Sequence, residues 1–155
     1  RIYKQAGDRD QFLKATNNIS CQRLVRRLCS NCRVEVRVPP KTIQQLGGDP
    51  KNQSTIYNQW RLPPPDQRVD EKGRPIEYPP CPACGGIGFI GRIAVFEMLS
   101  LNDQLRALIK QRPNTATVEA AAVKNGKTTI TKEVYKLVLL GVTSLAEAQR
   151  ILKQQ

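Results

Sequence analysis

The sequence predicts an α+β fold in which two strands present a tetracysteine metal-binding insertion and a helical subdomain completes the chain. Three observations carry this reading. The motif C-x-x-C occurs twice, at Cys29/Cys32 and at Cys81/Cys84. Strand-like runs lie on the outer side of each pair, at 19–28 and 89–99. From 102 onward the chain repeats the apolar spacing and the capping residues of short helices.

In each cysteine pair the two thiols stand at the spacing that lets one tight turn aim both sulfurs at one ion. Two such knuckles supply the four thiolates of a tetrahedral site with metal–sulfur bonds of about 2.3 Å. Cys29, Cys32, Cys81 and Cys84 are the expected ligands. Buried free thiols or two disulfides compete with this reading, but a disulfide within either pair would close a very small loop. Pro82 fixes one backbone angle of the second knuckle, and Gly85 can take the positive φ on which such a turn ends. The first knuckle has Arg33 in that place. With all four positions filled by protein, the site is closed and its role structural. Zinc is the expected ion; iron in a rubredoxin-like site takes the same ligands, and both stay open. Cys21, away from both pairs, reads as a buried apolar thiol.

Taken in order, 8–18 carries Phe12 and Leu13 with Ala15 and Thr16 following, a short amphipathic helix that Asn17-Asn18 ends. Residues 19–28 mix β-branched and apolar residues with arginines and read as a strand delivering Cys29, with a helix as the alternative. Val34, Val36 and Val38 alternate with Glu35 and Arg37 as a short strand. Residues 39–46 open on Pro39-Pro40 and stop at Gly47-Gly48, a short helix. From 49 to 80 the chain is polar and proline-rich, with Pro63-Pro64-Pro65 and Pro79-Pro80 bracketing the charged turn 70–74. An exposed and mobile excursion is expected, pinned by Tyr57 and Trp60.

Past the second knuckle, 92–99 reads as strand. Asn102 or Ser100 caps a helix over 103–110 with Leu105, Leu108 and Ile109 on one face, and Pro113 closes it. Residues 117–123 form a second helix. A third, from Ile130, has Val134, Leu137 and Val138 on one face and stops at Gly141. Ser144-Leu145-Ala146-Glu147 is a capping box opening a last helix with Leu145, Ala148, Ile151 and Leu152 inward.

The formal net charge of +12, lowered by about two units if four thiolates hold a divalent ion, invites an acidic partner: nucleic acid, an anionic membrane face or a protein. The basic residues are spread along the chain, and the few aromatics do not interleave with them as a stacking platform requires. That argues against nucleic acid. Arg26, Arg27 and Arg33 have two readings, favouring thiolates near the knuckles or binding a partner. No run is long and apolar enough to span a bilayer, the start lacks the apolar run of a signal peptide, and an odd number of thiols in metal spacing suits a reducing compartment. Cytoplasm is the expected location. Two motifs are decoys. Gly86-x-Gly88-x-x-Gly91 follows a knuckle and precedes a strand-like run, so it is not read as a dinucleotide fingerprint. Gly126-Lys127-Thr128 has Ala121 where a P-loop needs its first glycine. No catalytic or cofactor-binding residue is assigned.

The run Cys21-Gln-Arg-Leu-Val-Arg-Arg-Leu-Cys29, the knuckle followed by Gly-x-Gly-Phe-x-Gly-Arg92-x-Ala-Val-x-Glu97, and the tail from Thr129-x-x-x-Glu133 through Gly141-Val-Thr-Ser-Leu-x-Glu147 together resemble a known family. It is the C-terminal part of the type II secretion and type IV pilus assembly ATPases of the tetracysteine type. The resemblance covers nearly the whole chain except 49–80. It implies that 19–28 and 89–99 are edge strands of a RecA-like ATPase core, with the zinc knuckles inserted between them. On that basis 1–28 ends the ATPase core, 29–88 is the metal-binding insertion with its proline-rich excursion at 49–80, 89–101 is the returning strand and 102–155 is the helical subdomain.

The family's P-loop, acidic magnesium-binding segment and histidine box would all precede Arg1, and the chain has no histidine. The resemblance therefore implies that ATP and magnesium belong to a parent protein and that this chain alone is not an enzyme. The parent it implies is a hexamer at the cytoplasmic face of the inner membrane and peripheral to it, coupling ATP hydrolysis to pilin or pseudopilin movement. Its partners would be the rest of the ATPase, neighbouring subunits, a membrane platform protein and an anionic membrane surface. Arg92 and Glu97 match the family's motif; neither is assigned a catalytic role, and an edge-strand ion pair is the plainest reading of the two. The alternative function is a stand-alone zinc-ribbon module for nucleic acid or an acidic protein. A chaperone cysteine-rich repeat fails, because Cys-x-x-Cys-x-Gly-x-Gly occurs once.

Overall fold

The computed structural model describes residues 7–111 and 113–153, which mix helix and strand and fall into two compact units. The first unit takes the described residues up to Arg23 together with Val95–Glu133; the second takes Leu24–Ala94 and the described residues from Val134 onward. The elements are α1 (Arg9–Ala15), β1 (Asn18–Leu28), β2 (Val34–Arg37), α2 (Pro40–Gln45), β3 (Thr55–Asn58), a 3-10 turn (Pro65–Gln67), β4 (Phe89–Ser100), α3 (Asp103–Lys110), α4 (Thr115–Lys124), α5 (Ile130–Leu139) and α6 (Leu145–Leu152). Among the described residues, no helix is long and apolar enough to cross a membrane.

In the first unit, short helices are held by side chains at their ends. The Asp8 carboxylate accepts the Gln11 N–H at 2.9 Å and starts α1. The Arg106 guanidinium finishes it, donating to the carbonyls of Leu13 and Thr16 and to Asn17 Oδ1. A helix of this length is marginal by itself and is held by buried Leu13, with the cation on its last carbonyls assisting. Asn102 is the cap of α3, accepting from Leu105 N–H at 2.9 Å, and its amide reaches Asn125 Oδ1 at 2.8 Å, at the end of α4. Asn114 caps α4, which therefore begins two residues before the apolar pattern suggests. Leu101 N–H donates to the Asn17 carbonyl.

In the second unit the knuckles are built on the near ends of β1 and β4, which are hydrogen-bonded neighbours. The Cys29 N–H donates to the Gly88 carbonyl at 3.0 Å, and Leu28 N–H to the Val142 carbonyl at 2.8 Å. Between the knuckles, β2 pairs antiparallel with β3, Val34 opposite Asn58 and Arg37 opposite Thr55. This strand is a correction: 55–58 lies in the stretch expected to be a mobile excursion, yet Ile56 is buried and the backbone is paired. The charged turn 70–74 is also closed, by Asp70 accepting from the N–H groups of Lys72 and Arg74 and from Arg74 Nε. Helix α2 ends at positive-φ Gly47, and Gly48 N–H returns to the Ile43 carbonyl. Ile43, Val134, Val138, Ala148 and Ile151 form the buried apolar face of this unit's helices.

Candidate metal centre

The first knuckle turns as soon as β1 ends: Arg33 N–H donates to the Cys29 carbonyl at 2.9 Å. The second closes with Gly85 N–H on the Cys81 carbonyl at 2.7 Å, and Gly85 takes a φ of +61° as its place in the turn demands. The Cys29 and Cys81 sulfurs are 3.9 Å apart and those of Cys32 and Cys84 are 3.7 Å apart, all four lying within 4.8 Å of one another. A tetrahedron with metal–sulfur bonds of about 2.3 Å has edges of about 3.8 Å. These separations match those edges and are far too long for disulfide bonds of about 2.05 Å. The four cysteines are positioned to bind one metal ion. Cys29 is 0% exposed and Cys81 and Cys84 are 8% exposed, whereas Cys32 is only partly buried.

Two N–H donors point at the sulfurs. Asn31 Nδ2 lies 3.3 Å from Cys81 Sγ, and the Gly88 backbone N–H lies 3.2 Å from Cys84 Sγ. The Asn31 bond holds the Cys81 thiol down to about 6 against a burial that alone would raise it, with the backbone N–H groups of Cys84 and Ala83 assisting. Burial pushes Cys32 up to about 12, and the other three thiols add to the rise. Metal ligation requires thiolates, and the Asn31 donor favours that form at Cys81.

Sequence reasoning missed both donors. Asn31 stands inside the first C-x-x-C with no signal of its own, and Gly88 enters the sequence reading only as a member of glycine motifs. Its real signal is backbone: φ is +77°, and a Cβ there would stand 2.4 Å from Gln59 Cγ. The run after Gly91 is the strand β4.

Two of the three arginines, Arg26 and Arg33, make contacts within the chain. Arg26 reaches Glu147: its Nη2 lies 2.6 Å from Oε2, its backbone N–H donates to Oε1 at 3.2 Å, and its guanidinium sits 4.3 Å above the Phe89 ring. Arg150 grips the same carboxylate through Nε and Nη2 at 2.8 and 2.7 Å. The capping box is consequently half made: Ser144 Oγ accepts the Glu147 N–H, but the Glu147 carboxylate is spent on the arginines. Burial would raise this carboxyl, and the bonds from Arg150 and Arg26 outweigh it and hold the group at about 2. Arg33 lies 4.2 Å over the Tyr57 ring and donates to the Gly141 carbonyl at 2.6 Å, at the end of α5.

Glu97, expected in an ion pair along its own strand, instead meets Lys127 Nζ at 2.8 Å, which also holds Glu119 at 2.7 Å. Burial would lower the Lys127 ammonium, and the two carboxylates raise it. The lysine of the second decoy motif is therefore occupied by protein. Arg92 is exposed on β4, and Cys21, expected to be buried, is exposed on β1.

The model of the family described as "Type II/IV secretion system protein" matches residues 1–150. The chain is 30% identical over 126 residues to the type IV pilus assembly ATPase PilB of Thermus thermophilus, a match covering 81% of this chain and 12% of that protein. It is 29% identical over 148 residues to the type II secretion system protein E of Pectobacterium carotovorum, covering 94% of the chain and 25% of that protein. It is 31% identical over 144 residues to a putative type II secretion system protein E of Escherichia coli K12, covering 92% and 25%. The chain thus spans a quarter or less of the length of these relatives. With a family match that runs across nearly all of it, the chain belongs to the type II/IV secretion system protein family.

Proposed function

We propose that this chain is the C-terminal metal-binding and helical part of a hexameric motor ATPase that drives pilus assembly or type II protein secretion. The observation that carries the reading is the family match over residues 1–150. In this reading β1 and β4 belong to the edge of a RecA-like core that the parent completes. Residues 29–88 serve as its metal-binding insertion, and 102–155 as its helical subdomain. ATP and magnesium are handled by the parent, at the cytoplasmic face of the inner membrane, and this chain alone hydrolyses nothing. Its partners are the rest of the ATPase, the neighbouring subunits and a membrane platform protein, with the positive charge turned toward acidic protein or anionic lipid.

Cys29, Cys32, Cys81 and Cys84 hold one structural zinc ion. The tetrahedral sulfur spacing and the N–H donors from Asn31 and Gly88 support that ligand set. When bound, the ion supplies a cross-link between two distant turns and leaves no coordination position for water. Two measurements test the reading. Peptide mass mapping of the native polypeptide from its source cell should find a P-loop, an acidic segment and a histidine box ahead of Arg1; a native chain that begins at or near Arg1 and binds no ATPase subunit would sink the motor reading. Elemental analysis should give one zinc per chain, lost in Cys84→Ser and retained in Cys21→Ala; zinc retained in the first or lost in the second would refute the ligand set.

A further inference from the structure

Cys32 differs from the other three sulfurs. It is only partly buried, and with Asn31, Trp60, Pro79 and Cys81 it lines a surface cleft of about 230 Å³. Among the described residues, N–H donors point at the sulfurs of Cys81 and Cys84, Cys29 has no exposure, and no N–H donor is found on the Cys32 sulfur. In a zinc-loaded site all four sulfurs are thiolates by coordination, so access and hydrogen bonding, not proton affinity, rank their reactivity. An N–H donor withdraws electron density from sulfur and occupies a lone pair. A thiolate that has no such donor and faces a cleft is the one an electrophile meets.

We propose that Cys32 is the addressable sulfur of this centre, a modification site at which soft electrophiles and hydroperoxides open the metal knuckle. The inference rests on the zinc reading of the four cysteines. With hydrogen peroxide, the Cys32 sulfur attacks one oxygen: an S–O bond forms, the O–O bond breaks, and hydroxide leaves with the bonding pair. The Cys84 sulfur, 3.7 Å away, then attacks Cys32. The S–S bond forms, the S–O bond breaks, and a second hydroxide departs. Two sulfurs lose two electrons in total, peroxide gains them, and two protons from solvent convert the hydroxides to water. Zinc, left with Cys29 and Cys81, is released. Trp60 and Pro79 line the same cleft as Cys32, so the bulk of the oxidant is a selector: peroxide reaches the sulfur more readily than a large disulfide such as oxidised glutathione.

The test uses the full chain loaded with zinc, its metal content measured beforehand. The protein is treated with limiting N-ethylmaleimide, quenched in acid, unfolded, relabelled with deuterated reagent and mapped by mass. Exposed Cys21 is the internal reference. Cys32 should label at least ~10-fold faster than Cys29, Cys81 or Cys84. Peroxide should give a Cys32–Cys84 disulfide with one zinc released per bond. Trp60→Ala, which widens the cleft without touching a ligand, should speed labelling at Cys32 and leave the other three unchanged. Equal labelling of the four ligands, another ligand labelled first, a Cys29–Cys81 disulfide, or an unchanged Cys32 rate in Trp60→Ala overturns the proposal while the zinc reading stands. A protein that takes up no zinc overturns both.

Discussion

A carboxylate with 2% of its surface exposed stays ionised only if bonds replace the water it has lost, and Glu147 has them from two arginines whose side chains are 44% exposed. Removing the charge leaves Arg26 and Arg150 half solvated and unpaired, so Glu147→Gln should lower stability by about 2–3 kcal/mol, the modest end for a buried pair because its partners reach water. The sign of the pH effect follows from the depressed carboxyl. A group held at about 2 against an ordinary 4.5 contributes fully above pH 4.5 and loses that contribution as the pH falls toward 2. Urea melts across that window should show the native protein losing stability faster than Glu147→Gln; parallel curves would show the ion pair to be inert. Gly141 offers a second single-residue test. Its φ is +67°, and a Cβ would meet Tyr57 Cδ2 at 2.5 Å and Arg33 Nη1 at 3.1 Å. Gly141→Ala should cost about 2 kcal/mol or more, and pairing it with Tyr57→Ala should recover the steric part but not the roughly 1 kcal/mol owed to the backbone. Additive single effects in that cycle would rule out the ring as the obstacle.

At the level of elements, the helices of the first unit depend on their ends. Helix α4 buries only Ala122, so Asn114→Ala should weaken it by about 1 kcal/mol and speed amide exchange along its first turns. Unchanged exchange there would mean that packing, not the cap, holds the helix. The same locality explains what could be read in advance. Caps at Asn102 and Ser144, the stop at Gly141 and the strands beside each knuckle are written within a few residues of where they act. Interactions reaching across the chain are not. Nothing near Glu147 names Arg26, 121 positions away, and the local motif Ser-x-x-Glu pointed the carboxylate at its own helix. β3 was missed because Thr55–Asn58 is only four residues long inside a polar, proline-rich stretch, and its pairing depends on β2. Cys21 was misplaced because the apolar character of a thiol does not say which face of β1 becomes covered. The clustering of the four cysteines was legible, since doubled C-x-x-C is a local signal; the contacts of Asn31 and Gly88 were not, because they arise only when the knuckles meet.

On the scale of the molecule, the two units rest on different physics. The second has a candidate ion site among its core residues, so loss of the ion should be felt through residues 24–94. Chelation should raise amide exchange at both knuckles and through β2 and β3, and re-addition of zinc should restore it. Protection that survives chelation would show that packing of Ile43 and Ile56 suffices alone. Net charge follows chain length: residues 24–94 and 134–155 carry 14 Lys and Arg against 7 Asp and Glu, a balance of +7 out of +12. Acidic vesicles or proteins, if bound, should therefore be held by both stretches of the chain, with affinity falling as salt rises.

The hydrogen bond from Cys29 to the Gly88 carbonyl puts the two ends of the insertion side by side. A segment whose ends are pinned in this way is a loop of fixed mouth and free contour, and the entropy of closing such a loop rises only with the logarithm of its length, about 0.6 kcal/mol for a doubling. Growth or shrinkage at the 70–74 turn therefore leaves the strands and the thiols where they are. This turn is the part whose length the architecture makes cheapest to change, and new binding surface can be added there without redesigning the fold that carries it.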